Sequence, residues 1–359
     1  DIKKLLAYSS SENIGVIFGT IGLSMFFNYL EMSSTAGFVL TAALLHSMNH
    51  AVFKSLLFLT AGAVNSAASS KSMHDLGGLY SKMKFTAICA FVGTAAISAI
   101  PPLNGFASEF MILTSFIKDI DVVKVNYMVF VIVACGIAFA AAGAGAMYVA
   151  VKNFGITFLG AHRGNKEIDS SKITASMKLG MGILSIYAIG LGIAAPWIVK
   201  VLYKVSGMIL GFKETSALYI GYDITIFASI LFISIGILYF LFRTSRESNE
   251  VEVSDTWGCG FNRLKSNMQY NSGGYSQPVM RIFGWATGYS KEVRNSNAGV
   301  HISQKMKDLI EFHIYSKVTE FTLIIGKRVS KIQHGRIQTY IIYIFASLAV
   351  AIIIVSKYL

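Results

Sequence analysis

Long apolar stretches separated by short polar ones dominate this chain, and most of them approach or exceed the roughly 20 residues that a helix needs to cross a bilayer. The pattern predicts about eight membrane-spanning helices, seven of them before a long polar segment and one at the C-terminal end. They cover residues 13–30, 36–64, 85–100, 105–117, 127–151, 179–202, 217–242 and 340–355. We therefore expect an all-α fold, a polytopic transmembrane helix bundle.

The third and fourth stretches are short and meet at Ile100-Pro-Pro-Leu-Asn-Gly105. Pro101, Pro102 and Gly105 cannot continue a straight helix. One interpretation is a broken helix at membrane depth, which is tolerated only where the freed backbone groups lie inside protein or line a water-filled cavity. The other is a tight loop at the membrane surface, and both remain open at this point.

The polar segment after the seventh stretch changes character along its length. It is rich in Asn, Ser and Gly at first, and then apolar residues recur at intervals of three and four, which predicts an amphipathic helix before the last span. The apolar positions are Ile302, Met306, Leu309, Ile310, Ile314, Val318, Phe321, Ile325, Val329 and Ile332. We expect four regions: a transmembrane domain (1–242), a polar connector (243–299), the amphipathic helix (300–335) and a terminal transmembrane helix (336–359).

Composition agrees with a membrane protein, because 54% of the 359 residues are hydrophobic and only 14% are charged, against about 25% charged in soluble domains. The formal net charge is +12, but the cations lie in loops, which favours membrane topology and anionic lipid over nucleic acid. Cys89, Cys135 and Cys259 are far apart and form no CxxC pair. We therefore expect no iron–sulfur cluster and no metal site in this chain.

Loop charges predict the orientation. When the stretches are counted in order, the basic residues of loop 152–178 and of segment 243–336 fall on one side, which the positive-inside rule assigns to the cytoplasm. The same count places the other lysines on the outer side: Lys3, Lys4, Lys71, Lys82, Lys84, Lys118, Lys124, Lys200, Lys204 and Lys213.

Lys54 is the most unusual residue, because it lies within the apolar stretch 36–64. An ionisable residue at the centre of a membrane helix costs about 2.5–3.5 kcal/mol on insertion scales and is functional by default. His46 and His50 precede Lys54 at intervals of four, so the three share one helical stripe about 12 Å long. This stripe predicts a proton relay. The two histidines also suit zinc, but no third ligand stands at a suitable spacing.

Glu109 lies about one helical turn after the break, between Phe106 and Phe110. A surface glutamate at a helix start is the simple alternative, but the aromatic neighbours favour a buried carboxylate that exchanges protons with the relay through water. Glu12 and Asp75 lie near the ends of predicted spans and are at most accessory groups.

Four segments of the sequence carry motifs. They are Asp1-Ile-Lys-Lys-Leu-Leu-Ala-Tyr-Ser-Ser10, His46-x3-His50-x3-Lys54 with the following Ser-Leu-Leu-Phe-Leu-Thr-Ala-Gly62, Asp75-Leu-Gly-Gly-Leu79, and Pro101-Pro-Leu-Asn-Gly-Phe-Ala-Ser-Glu-Phe-Met-Ile-Leu113. Together they resemble the antiporter-like, proton-pumping subunits of respiratory complex I and group 4 membrane-bound hydrogenases. Motifs around Trp257, Met268 and Gln333 resemble the hydrogenase-4 component B and formate hydrogenlyase branch more than NADH dehydrogenase chains.

The resemblance implies proton translocation driven by a soluble redox arm of partner subunits, with Lys54 as the central lysine and Glu109 as the terminal acid. It implies no cofactor in this chain, with Fe–S clusters and a NiFe centre or flavin only in partner subunits. Other membrane subunits of the same complex, lipid, and a bacterial or archaeal plasma membrane are the implied surroundings. The family core has two inverted half-channels, whereas this chain starts after the first, so we expect one half-channel and no pumping by this polypeptide alone.

Two alternatives stay open. A subunit of a multisubunit Na⁺/H⁺ antiporter shares the same helices, and neighbouring genes would distinguish it. The other alternative is a non-conducting structural fragment, in which the amphipathic helix clamps its neighbours and the interior around Lys54 is dry and without gaps.

Overall fold

The computed structural model describes residues 1–118, 120, 123, 126–212, 218–244, 257–261, 263–266, 268–285, 288–296, 299–306, 310–331, 335 and 337–358. The chain divides into two units, Asp1–Tyr275 and Ser276–Leu359. Both units are mainly helical, and the described residues contain one two-stranded sheet. The predicted all-α class is confirmed.

The larger unit is a helix bundle. Its elements are α1 (Ile2–Tyr29), α2 (Ser33–Ala68), α3 (Leu79–Lys82), α4 (Lys84–Ile97), α5 (Asn104–Ile117), α6 (Asn126–Phe158), a 3-10 turn (Ser170–Lys172), α7 (Ala175–Ile193), α8 (Ala195–Leu210), α9 (Leu218–Thr244) and the start of α10 (Ser272–Ile282). Four described helical stretches are long and apolar enough to cross a membrane: Ser33–Ala68, Tyr127–Phe158, Ala175–Ile193 and Ile226–Thr244. The protein is therefore a multi-pass membrane protein, as predicted.

Local signals explain where several helices begin and end. Asp1 caps α1, since its side chain accepts from the backbone N–H groups of Lys3 and Lys4. Pro196 lies in the first turn of α8, where a missing N–H costs nothing, and Gly211 ends that helix in the left-handed conformation. α1 thus begins at Ile2, well before the predicted stretch 13–30, because polar positions such as Ser9 and Asn13 face the protein interior.

Helix α2 forms the centre of the larger unit and packs against α1, α4, α5, α7 and α8. Because neighbours surround it, side chains are buried on every face of the helix, among them Phe38, Leu45, Phe53 and Leu57. This position explains how the same helix carries Lys54, which is enclosed by protein and not by lipid.

The segment between α4 and α5 is a break within one membrane crossing. Asn49, near the middle of α2, donates from Nδ2 to the carbonyl oxygen of Asn104 at 2.7 Å, and Asn104 donates in return to that of Asn49 at 3.3 Å. Helix α4 begins after the loop that follows α2, whereas α5 ends where Lys118 lies over the ring of Phe38, near the start of α2. The two helices are therefore halves of one crossing, and the broken-helix interpretation is the correct one.

Counting stretches 85–100 and 105–117 as two spans was wrong, and the error inverted the predicted sides. Arg163 donates to the carbonyl oxygens of Met73 at 3.0 Å and His74 at 3.2 Å, so loops 69–78 and 159–169 lie on one face, called here the polar-loop face. Several lysines predicted to lie opposite loop 152–178 are instead on its side: Lys3, Lys4, Lys71, Lys82 and Lys84. Hydropathy cannot distinguish a half-crossing from a short span, which is the physical reason for the error.

The remaining lysines on the predicted outer side divide differently. Lys118, Lys200 and Lys204 lie towards the face opposite the polar-loop face, because α5 and α8 both run away from it after their breaks. Lys124 and Lys213 fall outside the described residues. The corrected topology therefore concentrates basic residues on the polar-loop face more strongly than the sequence count did.

A second break interrupts the predicted span 179–202, which is two helices, α7 and α8. Their 19 and 16 residues together match the 36 of α2. Gly192 packs directly on the first break, since a Cβ atom there would overlap the carbonyl oxygen of Pro102. The prediction of one uninterrupted span was wrong because Pro196 is compatible with a helix start as well as with a kink.

The smaller unit contains the end of α10, an antiparallel hairpin and two helices. Strand β1 (Tyr289–Ser296) pairs with β2 (Gly299–Met306). A π-helical turn (Glu311–Tyr315) leads into α11 (Ser316–Ser330), and α12 (Ile337–Tyr358) follows. The helix predicted over 300–335 is thus a strand at its start.

The reason for this difference is an ambiguous apolar pattern. Ile302 and Met306 suit a helix by their spacing of four and equally suit one face of a strand together with Val300. Leu309 and Ile332, which also belonged to the predicted apolar face, fall outside the described residues.

We predict that cysteines placed at Lys82 and Glu167 are labelled by a membrane-impermeant maleimide from one side of the membrane, and a cysteine at Glu31 from the other. Lys82 and Glu167 belong to the polar-loop face, whereas Glu31 lies in the turn between α1 and α2. Sealed vesicles of both orientations, in a background without Cys135 and Cys259, allow the measurement. Labelling of the K82C and E167C variants from opposite sides would contradict this topology.

We also predict that Gly105→Ala lowers the midpoint temperature of thermal unfolding of the purified protein by several degrees. A Cβ atom at Gly105 would overlap the carbonyl oxygen of Ala96, so α5 must move away from α4. Gly62→Ala on α2 is the matched control, because nothing lies within 4 Å of its added methyl group and alanine favours a helix by about 0.5–1 kcal/mol over glycine. Equal effects of the two substitutions would show that the close contact does not matter.

Candidate functional site

The amine of Lys54 is enclosed by α1. Only 5% of the residue is exposed, and Nζ donates to Ser9 Oγ at 2.5 Å and to the carbonyl oxygen of Leu6 at 3.1 Å. A buried amine needs such acceptors, because an unpaired charge is strongly disfavoured in a medium of low polarity. Lys54 therefore connects α2 to α1 through two hydrogen-bond acceptors, the Ser9 hydroxyl and the Leu6 carbonyl oxygen.

His46, two helical turns before Lys54, is held at both ring nitrogens. Nδ1 lies 3.0 Å from Ser108 Oγ on α5, and Nε2 lies 3.2 Å from Asn13 Oδ1 on α1. The residue is 1% exposed. The imidazole thus bridges three helices, including the half-helix that follows the break.

Asn13 determines which nitrogen of His46 carries the proton. Its Nδ2 donates to the carbonyl oxygen of Ser9 at 2.9 Å and to Glu12 Oε2 at 3.0 Å, so both amide hydrogens are used. Oδ1 then faces His46 as an acceptor, and Nε2 of the ring must be the donor. In the neutral ring, Nδ1 accepts from Ser108.

The hydroxyl of Ser108 has a second acceptor within reach. It lies 3.1 Å from the carbonyl oxygen of Gly105, at the start of α5. When Nδ1 of His46 takes up a proton, rotation of this hydroxyl towards Gly105 leaves an oxygen lone pair for the new N–H. His46 can therefore be protonated and deprotonated without leaving a hydrogen bond unmade.

Glu12 lies within α1, next to this line of hydrogen bonds. It is close enough to interact electrostatically with the Lys54 amine and with the Glu109 carboxylate. It also lines an apolar cavity of about 480 Å³ between α1 and α6. The sequence placed Glu12 near a span end, whereas the structure places it between the two predicted principal residues.

Glu109 follows Ser108 on α5 and is partly buried. Its Oε2 faces α6 at Gly143, where a Cβ atom would come within 3.8 Å. Glu109 is thus one residue beyond the group that contacts His46, on a different face of the same half-helix.

His50 does not join the hydrogen-bonded line. Its ring packs edge-on against Phe53, with ring centroids 5.5 Å apart, and its buried Nε2 has no protein partner among the described residues. Lys54 and His46 are linked instead through α1, where Lys54 contacts the Ser9 hydroxyl and Asn13 contacts both the Ser9 carbonyl oxygen and His46. A shared stripe on one helix predicts a common face, but side chains on the neighbouring helix decide which groups connect.

Asp75 lies apart from these residues, in the loop after α2. It accepts a hydrogen bond from Ser70 Oγ at 2.9 Å on the polar-loop face.

Within the described ranges, no three His, Cys, Asp or Glu side chains converge as a metal site would require.

Residues 1–140 match the family described as NADH:quinone oxidoreductase/Mrp antiporter, transmembrane. The match includes Lys54, His46, the break and Glu109, and the predicted resemblance is confirmed.

Two curated relatives from Escherichia coli (strain K12) extend the likeness. Hydrogenase-4 component B is 28% identical over 99% of this chain and 56% of its own length. Formate hydrogenlyase subunit 3 is 31% identical over 79% of this chain and 46% of its own length. The chain spans about half the length of these relatives.

A solved structure of the membrane-bound sulfane sulfur reductase, an archaeal respiratory membrane complex, contains a chain of similar fold. The TM-score is 0.55 at 20% sequence identity, covering 95% of this chain and 55% of that chain. At this identity the likeness concerns the fold alone, and it agrees with a membrane helix bundle.

Sequence reasoning within the family motifs missed much of what surrounds Lys54 and His46. The predicted site residues do not include Ser9, Asn13, Ser108, Asn49 or Asn104. The sequence feature that could have identified them is a spacing of four between polar residues inside or beside an apolar stretch, as for Ser9 and Asn13. That spacing indicates a polar stripe on a helix but does not show which residues contact it.

We predict that Asn13→Leu lowers the midpoint temperature of thermal unfolding of the purified protein. The change removes three hydrogen bonds and leaves Nε2 of buried His46 without its acceptor, and an unpaired buried polar group costs about 1–3 kcal/mol. Asn13→Asp keeps an acceptor towards His46 and should lose less. The control is Ser11→Ala, on an exposed face of α1. Equal midpoints for N13L and S11A would contradict the assigned network.

Proposed function

We propose that this chain is a proton-translocating membrane subunit of a hydrogenase-4 or formate hydrogenlyase-like, or NADH dehydrogenase-like, oxidoreductase complex. The observation that carries the proposal is the set of buried hydrogen bonds by which α1 links Lys54 to His46. Lys54 donates to the Ser9 hydroxyl, Asn13 joins the Ser9 carbonyl oxygen to one ring nitrogen of His46, and Ser108 at the broken helix contacts the other ring nitrogen. Buried ionisable groups that are joined in this way inside a membrane protein are characteristic of proton pathways.

In this proposal Lys54 alternates between charged and neutral forms. Ser9 and the Leu6 carbonyl stabilise the ammonium, and the nearby carboxylate of Glu12 favours it further. Loss of the proton leaves an amine that still donates to one of these acceptors. The change of charge at Lys54 is therefore felt by Glu12 and, through Asn13, by His46.

His46 is the next group of the path that can hold a proton. Because Nε2 donates to Asn13, whose amide does not release a proton, the ring takes up and releases a proton at Nδ1 while the Ser108 hydroxyl turns to Gly105. In this proposal the proton from Lys54 reaches Nδ1 through water and leaves it through water for Glu109, the terminal acid on α5. His50, whose buried Nε2 has no protein partner among the described residues, is a further relay group between Lys54 and His46.

The alternative of a Na⁺/H⁺ antiporter subunit concerns the same residues. The family model that matches residues 1–140 is common to quinone oxidoreductases and Mrp antiporters, so this part of the chain does not separate the two. The likeness to hydrogenase-4 component B covers 99% of the chain and therefore also includes residues beyond 140, which supports the oxidoreductase complex. A non-conducting structural role is disfavoured, because a packing residue does not require an amine at position 54.

The proposed partners are other membrane subunits and a soluble redox arm of the same complex. Fe–S clusters and a NiFe centre or flavin belong to those partners in this proposal, and this chain supplies the proton path. The membrane is that of a bacterial or archaeal cell, with the polar-loop face in the cytoplasm, because the basic loops collect there.

The division into regions remains a proposal, with 1–242 as the conducting part and 243–299 as a connector. Residues 268–275 of the connector belong to the larger unit, where Gln269 exchanges two hydrogen bonds with the backbone of Ala161, at 3.0 and 2.7 Å. This clamp supports a connector that is held on the polar-loop face.

We predict that Lys54→Met lowers redox-driven proton translocation at least about tenfold in vesicles that contain the complete complex. Methionine fills similar volume but carries no proton. Lys54→Arg should fail as well, because arginine retains its proton at every working pH. The measurement is the quenching of a pH-sensitive dye per electron transferred, in Na⁺-free buffer.

Lys82→Met, at an exposed position on the polar-loop face, is the control for loss of a positive charge. Undiminished proton translocation in the K54M complex would refute the proposed function. Activity that appears only when Na⁺ is added would favour the antiporter alternative.

A further inference from the structure

A small polar cavity lies beside Lys54, on the side away from His46. It has a volume of about 10 Å³ and is lined by residues of α1, α2, α4 and α6. Three polar side chains line it, Ser9 from α1, Thr94 from α4 and Asn153 from α6, and the rest of the lining is apolar. The site differs from the line to His46, because neither Asn13 nor α5 contributes to it.

Two of these polar groups have no protein partner in the described part of the chain. They are Thr94 Oγ1 and Asn153 Oδ1, in residues that are 8% and 6% exposed. A buried polar atom without a hydrogen bond costs about 1–3 kcal/mol, so such atoms are nearly always satisfied by protein or by ordered water. Two of them lining one cavity point to a shared ligand.

The size and chemistry of the cavity suit a single water molecule. A volume of about 10–15 Å³, measured for water-sized spheres, is what one water needs, together with two to four polar partners. Ser9, Thr94 and Asn153 supply three. Because Ser9 Oγ accepts from Lys54 Nζ, its own hydrogen is available to a neighbour in the cavity.

The polar lining continues towards the polar-loop face. Thr157 lies one helical turn beyond Asn153 on the same side of α6, is fully buried, and its Oγ1 also has no protein partner among the described residues. A helical threonine commonly bonds to the carbonyl four residues earlier, and this one does not. Helix α6 ends at Phe158, so Thr157 reaches the end of the membrane-embedded helix.

We infer that Ser9, Thr94 and Asn153 bind a water molecule that connects Lys54, by way of Thr157, with the polar-loop face. This inference deepens the proposed function and rests on it, since it names the route by which Lys54 exchanges protons with one side of the membrane. The line through His46 and Glu109 then serves the other side. Lys54 stands between the two routes, and its hydrogen bond to Ser9 is the point where they meet.

The test uses the complete complex in vesicles and measures protons translocated per electron. Thr94→Val and Asn153→Leu remove one water partner each, and Ala150→Val fills the same cavity without removing a polar atom. We expect each to lower translocation at least about fivefold while the redox reaction continues. Thr86→Val is the matched control, because it replaces another buried threonine of α4 outside the cavity and should behave as the unmodified complex.

A parallel measurement on K54M separates this inference from the proposed function. If K54M stops translocation while T94V, N153L and A150V leave it unchanged, the water site is refuted and the proposed function stands. If K54M has no effect, both fail. Should N153L not assemble, T94V and A150V decide, since A150V adds two methyl groups at the cavity and removes no hydrogen-bonding atom.

Thr157 has its own readout. Thr157→Val removes the buried hydroxyl at the polar-loop end of the route and keeps the shape of the side chain, so we expect it to lower proton translocation at least about fivefold. Translocation equal to that of the T86V control would overturn the assigned route.

Discussion

The enclosure of the Lys54 amine by α1 is the constraint on which the rest of the larger unit depends. An amine within a membrane protein must find acceptors in protein, because neither lipid nor apolar side chains supply them. Ser9 and the carbonyl of Leu6 do so, and this requires α1 to lie against α2 along its length. The same contact brings Asn13 to His46, so one polar interface both holds two helices together and forms the proposed proton line.

The broken crossing is the second requirement, and it follows from backbone hydrogen bonding. Where Pro101 and Pro102 interrupt the helix, the freed groups must be satisfied within protein, and Asn104 Oδ1 accepts from the N–H of Gly105 at 3.0 Å. The reciprocal pair between Asn49 and Asn104 holds this break against the middle of α2. Gly192 allows the break between α7 and α8 to pack on the first one. Two breaks at one depth leave short half-helices that point polar groups such as Ser108 into the interior.

Much of this arrangement was predictable from residues alone. Lys54 within an apolar stretch, with His46 and His50 at intervals of four, indicates a functional helix whatever its neighbours are. The position of Glu109 after two prolines predicts a carboxylate near a break. The roles of these residues remain proposals, but their locations follow from periodicity and from the cost of charge in hydrocarbon. The family resemblance rests on the same residues and is confirmed over residues 1–140.

The sequence by itself determined the all-α membrane class, the helix that carries Lys54 and the position of the break, because hydropathy and periodicity are local properties of the chain. Only the tertiary structure decided that α4 and α5 form one crossing, that Lys82 and Arg163 share a face, and that His46 connects to Lys54 through α1 while His50 does not. These features depend on which helices continue or face one another. Local pattern shows that a side chain is buried or polar, but the partner that satisfies it lies on another element, distant in sequence.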